Sequence, residues 1–473
     1  AANIGAITAG GADNTPGEIV MTANAADESH GTTIFEAKIT DNGSGKVAFV
    51  KTGPGSIKLD GHNTFSGGLY LLQGRVQFAG HELDSSGASD NPDDGGTGSI
   101  YILPGSYLFP SGIGSGVITN DIFVAGNGTA AEPLGAMRGG NYRSTIHLIG
   151  DATFGAGTFM GPILGSFNLG LCMPVTTHGD VHLASQGNDW TGDTFMNAED
   201  HSGNNYEHVY NETNEVIPNG FGKGNVTMRP GGGRSTSYII WDLNGYSETI
   251  NGLSTTGNHV EDCIITNSAA SGINSVLTLG DNDQSGTFAG LIQDGGSASG
   301  TLGLTKIGAG VETLTGNNTY SGDTTVSGGT LALSGGTSIS TSPNALVQNG
   351  GVLDVTKLTD NFDYPNNLSL NNNGTLLLDQ PATIGNLNMA DGRLRLDSID
   401  ANATVGSLSV SGSTNLIDIV SVGLITGYPA QFTVIKYSGS LNGTFNFGLG
   451  NLPSSSTTGY VSNNVANGSI DAV

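Results

Sequence analysis

Three features of this 473-residue sequence predict an all-β fold of the parallel solenoid type. Helical patterning is nearly absent: no window of a dozen residues places apolar side chains at i, i+3, i+4 and i+7 without a glycine or a β-branched run interrupting it. A gapless internal repeat aligns Lys51–Phe78 with Lys306–Leu333, and ten of the 28 positions are identical, among them Gly53/Gly308, Asn63/Asn318, Ser66/Ser321 and Gly74/Gly329. A finer period runs beneath it, in which a Gly, Asn or Asp turn precedes an alternating strand. Taking Leu331, Leu353, Leu376, Leu394 and Leu416 as equivalent, the spacings are 22, 23, 18 and 22. A coil of about 21 residues, pairing its short strands with the coils before and after it, gives this signature.

The elements follow in chain order. Residues 1–44 are expected to cap or start the solenoid, which then runs over 45–430. Strands are expected at Gly45–Val50, Gly98–Leu103, Thr145–Gly150 and Gly224–Met228, where apolar residues alternate with polar ones. Two polar stretches break the pattern, near 79–96 and 198–213, and read as loop insertions. A short third copy of the repeat, Gly187–Thr194, places Trp190 where the longer copies have Phe65 and Tyr320. Residues 431–473 form a final β segment, a cap or an assembly strand. If the whole chain coils at this period it holds about 22 rungs, a rod on the order of 100 Å long.

Composition limits the partners. Fifteen Lys and Arg against 41 Asp and Glu leave a net charge of −26, so a nucleic acid backbone or an acidic polysaccharide is repelled. Glycine, at 77 residues, is more than twice its average usage of about 7%. With 36% hydrophobic residues it marks turns rather than disorder. No apolar run is long enough for a membrane-spanning helix. The opening Ala1-Ala2-Asn3, without Met or a leader, fits an exported chain after signal peptide removal. Cys172 and Cys263, both in apolar strand-like runs, are expected as buried thiols, with a disulfide as the alternative.

Leu314–Leu333 reads LTGNNTYSGDTTVSGGTLAL, with a looser copy at Leu59–Phe78 and part of one at Gly187–Thr194. It resembles the autotransporter-associated β-strand repeat of bacterial passenger proteins. Ile217–Met228, Asp242–Leu253, Val276–Gly295 and the tail from Phe432 resemble the connecting segments of such proteins. The resemblance implies a secreted, right-handed β-helical surface protein, here without its translocator barrel, and implies no catalytic residues.

The candidate sites are few. His178, Asp180 and His182 alternate on one strand face and could aim two imidazoles and a carboxylate at a metal, but an outward polar face gives the same pattern. Asp281 and Asp283, and the run Asp90–Asp94, are oxygen-rich loops able to hold Ca²⁺ weakly; they lack the EF-hand order, so solvated acidic turns are the favoured reading. No cofactor is expected. Arg138, Arg143 and Arg229 with Asp151 and Asp180 are what a β-helical polysaccharide lyase or hydrolase would draw on, yet no spacing ties them together. Trp190, Tyr206, Tyr210 and Trp241 are either sugar-stacking rings or members of the core and its ladders. The expected function is that of a non-enzymatic extracellular structural protein, a homo-polymer in a cell-surface fibre, filament, sheath or matrix. Its assembly strand is the tail, through Tyr460, Val461, Val465, Ile470 and Val473. The alternatives are an adhesin that binds cell-surface glycans through the insertions, and a polysaccharide-active enzyme.

Overall fold

The computed structural model describes residues 5–24, 33–78, 92–110, 116–171, 179–198, 205–231, 237–423, 425, 427–439, 441–454 and 457–473. Among them there is no α-helix, only strands, turns and three short 3₁₀ segments. The chain divides into two contact units, one made of residues 1–218, 222–242 and 256–262, the other of 219–221, 243–255 and 263–473.

In the first unit the strands stack in parallel, each on the next coil. Gly17–Thr22 pairs with Val47–Thr52, and Phe49–Lys51 continues onto Leu69–Leu71, Ile100–Ile102, Ile122–Val124, Ile146–Leu148 and Ile163–Gly165. Because side chains alternate across a strand, one register position fills a whole column of the interior. Phe49, Leu69, Ile100, Ile122, Ile146 and Ile163 align and are all fully buried. A second column runs through Ile57, Val76, Leu108, Met137 and Phe154. Each such side chain removes about 1.5–3 kcal/mol worth of apolar surface from water.

The second unit repeats the scheme with two described sheets. One carries Leu277, Leu304, Thr324, Ala345, Leu368, Leu387 and Leu408 in one inward column. The other stacks Leu331, Leu353, Leu376 and Leu394, as the leucine spacing predicts. The next rung departs from that prediction: Leu394 faces Ile417, and Leu416 faces Arg393. A shift of one residue exchanges the two faces of a strand, so Ile417 is buried while Leu416 lies outward. The anchor is Asn415, fully buried, whose Oδ1 accepts the Gly392 N–H while its Nδ2 donates to the Ser411 carbonyl. The turns before these strands adopt positive φ as expected, Asn373 at 63° and Asp391 at 56°.

Two expected loops change character. Of the stretch 198–213, Asn205–Asn211 is a strand paired in parallel with Val181–Leu183 and Ser237–Asp242, with Val209 fully buried. Its NYEHVYN pattern alternates outward rings with inward Glu207 and Val209, which suits a solenoid strand. Near 79–96, residues 79–91 lie outside the described ones, and Pro92–Gly95 is a 3₁₀ turn with Asp94 buried. Cys263 is buried in the strand Cys263–Thr266; Cys172 lies outside the described residues.

The C-terminal segment reverses direction. Phe432–Tyr437 pairs in parallel with Ala403–Val405, and Ser469–Ala472 then runs antiparallel to Phe432–Lys436 and to Val461–Asn464. Asp471 fastens this hairpin: its carboxylate accepts from Gln431, Thr433 and Asn464. Burial raises that carboxyl pKa, but these hydrogen bonds outweigh it and hold the group below its usual value.

Candidate functional site

The repeat positions place their polar side chains between rungs. Asn63 is fully buried; its Oδ1 accepts the Ile39 N–H at 2.8 Å and its Nδ2 donates to the Asp94 carbonyl at 2.7 Å. Asn318 accepts the Ile292 N–H and donates to the Thr337 hydroxyl. Asn188, in the short third copy, accepts the Ile163 N–H and donates to the Val216 carbonyl. Three asparagines thus receive from the coil before and give to the coil after. Beside two of them a carboxylate ties down the turn. Asp41 accepts the N–H groups of Val47 and Ser66 and the Ser66 hydroxyl, and Asp294 accepts those of Leu302 and Ser321 and the Ser321 hydroxyl. Burial alone would raise the Asp41 pKa, yet these hydrogen bonds hold it below its ordinary value. The aromatic position is interior in every copy: Phe65, Trp190 and Tyr320 are buried, and Trp190 and Tyr320 each bond the threonine four residues on, Thr194 and Thr324. Trp241 is likewise core, with its ring N–H on Asn211.

Two lysines related by the repeat are fully buried, which their residue type does not announce. Lys51 Nζ donates to the carbonyls of Thr52, Gly53 and Gln73, and Lys306 Nζ to those of Ile307 and Gly308. Burial lowers the Lys306 pKa, partly offset by Glu312 and Asp283. Glu312 is itself fully buried; burial pushes its carboxyl up to about 8, against the lowering effects of the Leu253 N–H and Lys306.

The metal candidates resolve into cross-rung pairs. His178 lies outside the described residues. His182 Nδ1 sits 2.7 Å from Glu212, and His208 Nδ1 sits 3.5 Å from Asp180. Both imidazoles stack on Tyr210, whose hydroxyl burial and neighbouring carboxylates push up to about 12. Asp281 accepts from the adjacent Asn282 N–H within its own turn, whereas Asp283 accepts the Ala309 N–H from the next coil. Among the described residues no three His, Cys, Asp or Glu side chains converge as metal ligands. Arg138 pairs with Glu132 at 3.4 Å and lies over the Phe109 ring, away from Asp151 and Asp180 in its contacts. Of the tail residues, Tyr460 and Val465 are exposed at 62% and 75%, whereas Val461 and Ile470 are buried against their own chain and Val473 exchanges hydrogen bonds with Tyr460.

Outward-facing rings form ladders that the sequence does not isolate, because their rungs lie 22 to 32 residues apart. Tyr70, Tyr101, Phe123 and His147 occupy one outward register column and stack successively at 4.6, 4.9 and 4.6 Å between centroids. Tyr206 and Tyr238 stack at 5.1 Å in the same manner.

Residues 49–78 and 304–333 each match the passenger-associated-transport-repeat, and each match takes in strands of two successive coils that pair with one another. No curated protein matches the chain. Among the described residues no helix is long and apolar enough to cross a membrane. The repeat and the parallel coil thus fall in the same residues: the chain carries two copies of an autotransporter passenger repeat within a parallel β-solenoid, and that repeat indicates an extracellular protein.

Proposed function

We propose that this chain is a non-enzymatic structural subunit of a cell-surface fibre, sheath or matrix built from copies of itself. The observation that supports it is the use of the repeat's polar residues: Asn63, Asn188 and Asn318 bind neighbouring coils, and Ser66 and Ser321 bond Asp41 and Asp294 earlier in the chain, so the repeat is occupied in holding a solenoid together. The tail from Gly459 to Val473 already pairs with its own chain, which moves the assembly edge elsewhere. The strand Phe447–Leu449 ends its sheet and is paired on one side only among the described strands, with Asn415–Ile417. An edge of this kind accepts a strand from a second copy.

Sedimentation and negative-stain imaging of the purified chain test the reading. Regular filaments that grow with concentration are expected, and Leu449→Lys should suppress them by placing a charge on the edge while circular dichroism stays unchanged. A monomer at every concentration would sink the proposal.

A further inference from the structure

The lowest coils of the first unit carry an open cleft of about 800 Å³ against the outward face. That volume lies within the range of clefts that hold small ligands. Its floor is apolar: Val50 and Leu72 flank Tyr70, and Leu72 is 40% exposed. Its rim is polar, with Asn14, Glu18 and Lys46.

The floor ends the aromatic ladder. One face of Tyr70 stacks on Tyr101 with the rings 1° from parallel. On the other side the same column continues to Val50, which carries no ring; Ala48 of that coil also lines the cleft, and the next residue, Phe49, donates its N–H to the Gly68 carbonyl. Gly68, at φ 103°, lets the Tyr70 ring lie across it: a Cβ there would meet the ring at 3.2 Å. The ring is therefore held from behind and from below. Burial, then Tyr101 and Glu18, raise the pKa of its hydroxyl, which places the Glu18 carboxylate within electrostatic reach of the ring's polar end. The wall is also fixed, since Asn14 Oδ1 accepts the Ser44 N–H at 2.9 Å and Asn42 Nδ2 donates to Ala12 and Thr15.

We propose that this cleft is a binding site for a neutral oligosaccharide. A pyranose ring has a C–H face that packs on an aromatic face and a rim of hydroxyls that need donors and acceptors. Tyr70 supplies the first; Glu18 accepts and Lys46 donates at the second. The two rim charges are opposite, and the chain's net charge of −26 disfavours an acidic sugar. None of the residues lining the cleft belongs to the stretches 79–96 and 198–213, and the proposal stands whether or not the chain polymerises.

The test is titration calorimetry on the whole chain with maltohexaose, cellohexaose and chitohexaose, and with trigalacturonate as the acidic counterpart. At least one neutral hexasaccharide should bind. Tyr70→Ala should weaken that binding tenfold or more, Tyr70→Phe by less than threefold, and Tyr206→Ala, on the other ladder, not at all. Ala48→Trp, which fills the cleft from the preceding coil, should match the Tyr70→Ala loss and covers the case in which the alanine variant folds poorly. Failure of all three neutral sugars to bind, tighter binding of trigalacturonate, or binding that survives both cleft variants overturns the proposal.

Discussion

At the scale of single residues, the asparagines of the three copies share one arrangement, Asn63 and Asn318 buried and Asn188 half-buried. Asn318 fills the same role between coils as Asn63 and Asn188, and its loss would strand the Ile292 N–H inside the protein. An unsatisfied buried donor costs about 1–3 kcal/mol. Asn318→Ala should therefore lower the thermal midpoint and accelerate amide exchange at Ile292, read by mass spectrometry or NMR, with little effect at Ile39. Glu312 gives a pH signature. Its carboxyl ionises near 4.5 in an unfolded chain and near 8 when buried, so the folded state keeps a proton that the unfolded state releases. Its contribution to stability is complete below about pH 4.5 and is lost as pH rises towards 8. Glu312→Gln should flatten the stability profile in that window relative to wild type, measured as chemical denaturation midpoints from pH 4 to 9. The repeat alignment exposes Asn63 and Asn318 as equivalent, but their partners lie 24 and 26 residues back in coils of unequal length, so no fixed spacing marks them. Lys51 and Lys306 show the same limit: the alignment pairs them, and only the folded turns show carbonyls gathered around each ammonium.

At the scale of the element, turn chemistry and alternation carry most of the fold. The positive φ values at Asn373 and Asp391 and the leucine column from Leu331 to Leu394 follow from residue type and period. The slip to Ile417 does not, because either Leu416 or Ile417 satisfies the apolar pattern and the choice rests on Asn415 turning inward to bond Gly392. Ile417→Ala should cost about 2–4 kcal/mol as a core deletion. Leu416→Ala should cost under about 1 kcal/mol, since that side chain is already partly in water. Comparable losses from both would mean the register is misassigned. The strand Asn205–Asn211 was hidden for a related reason: its inward Glu207 and outward Tyr206, His208 and Tyr210 invert the usual link between polarity and exposure. The outward rings gain from stacking on the next coil what they lose in water contact.

At the scale of the whole molecule, a net charge of −26 sets the conditions for self-association. Copies of the same acidic chain repel at low ionic strength, and the Debye length falls from about 30 Å at 0.01 M salt to about 10 Å at 0.1 M. Filaments formed through the Phe447–Leu449 edge should therefore grow faster as salt rises from 10 to 150 mM, followed by light scattering; slower growth with added salt would indicate opposite charges at the contact instead. The candidate ligand cleft, unlike the coil itself, was not legible in the sequence, because Tyr70, Glu18 and Lys46 meet only when coils of different length are stacked. The asparagines that reach both backwards and forwards carry one more consequence. A coil arriving beside one already formed finds a donor and an acceptor waiting at a fixed height, as a tile finds its neighbour's groove. Such a chain has no need to search for distant partners: it can be laid down in sequence, each turn proofread by the turn beneath it, and a coil whose asparagine is missing would be the place where the laying stops.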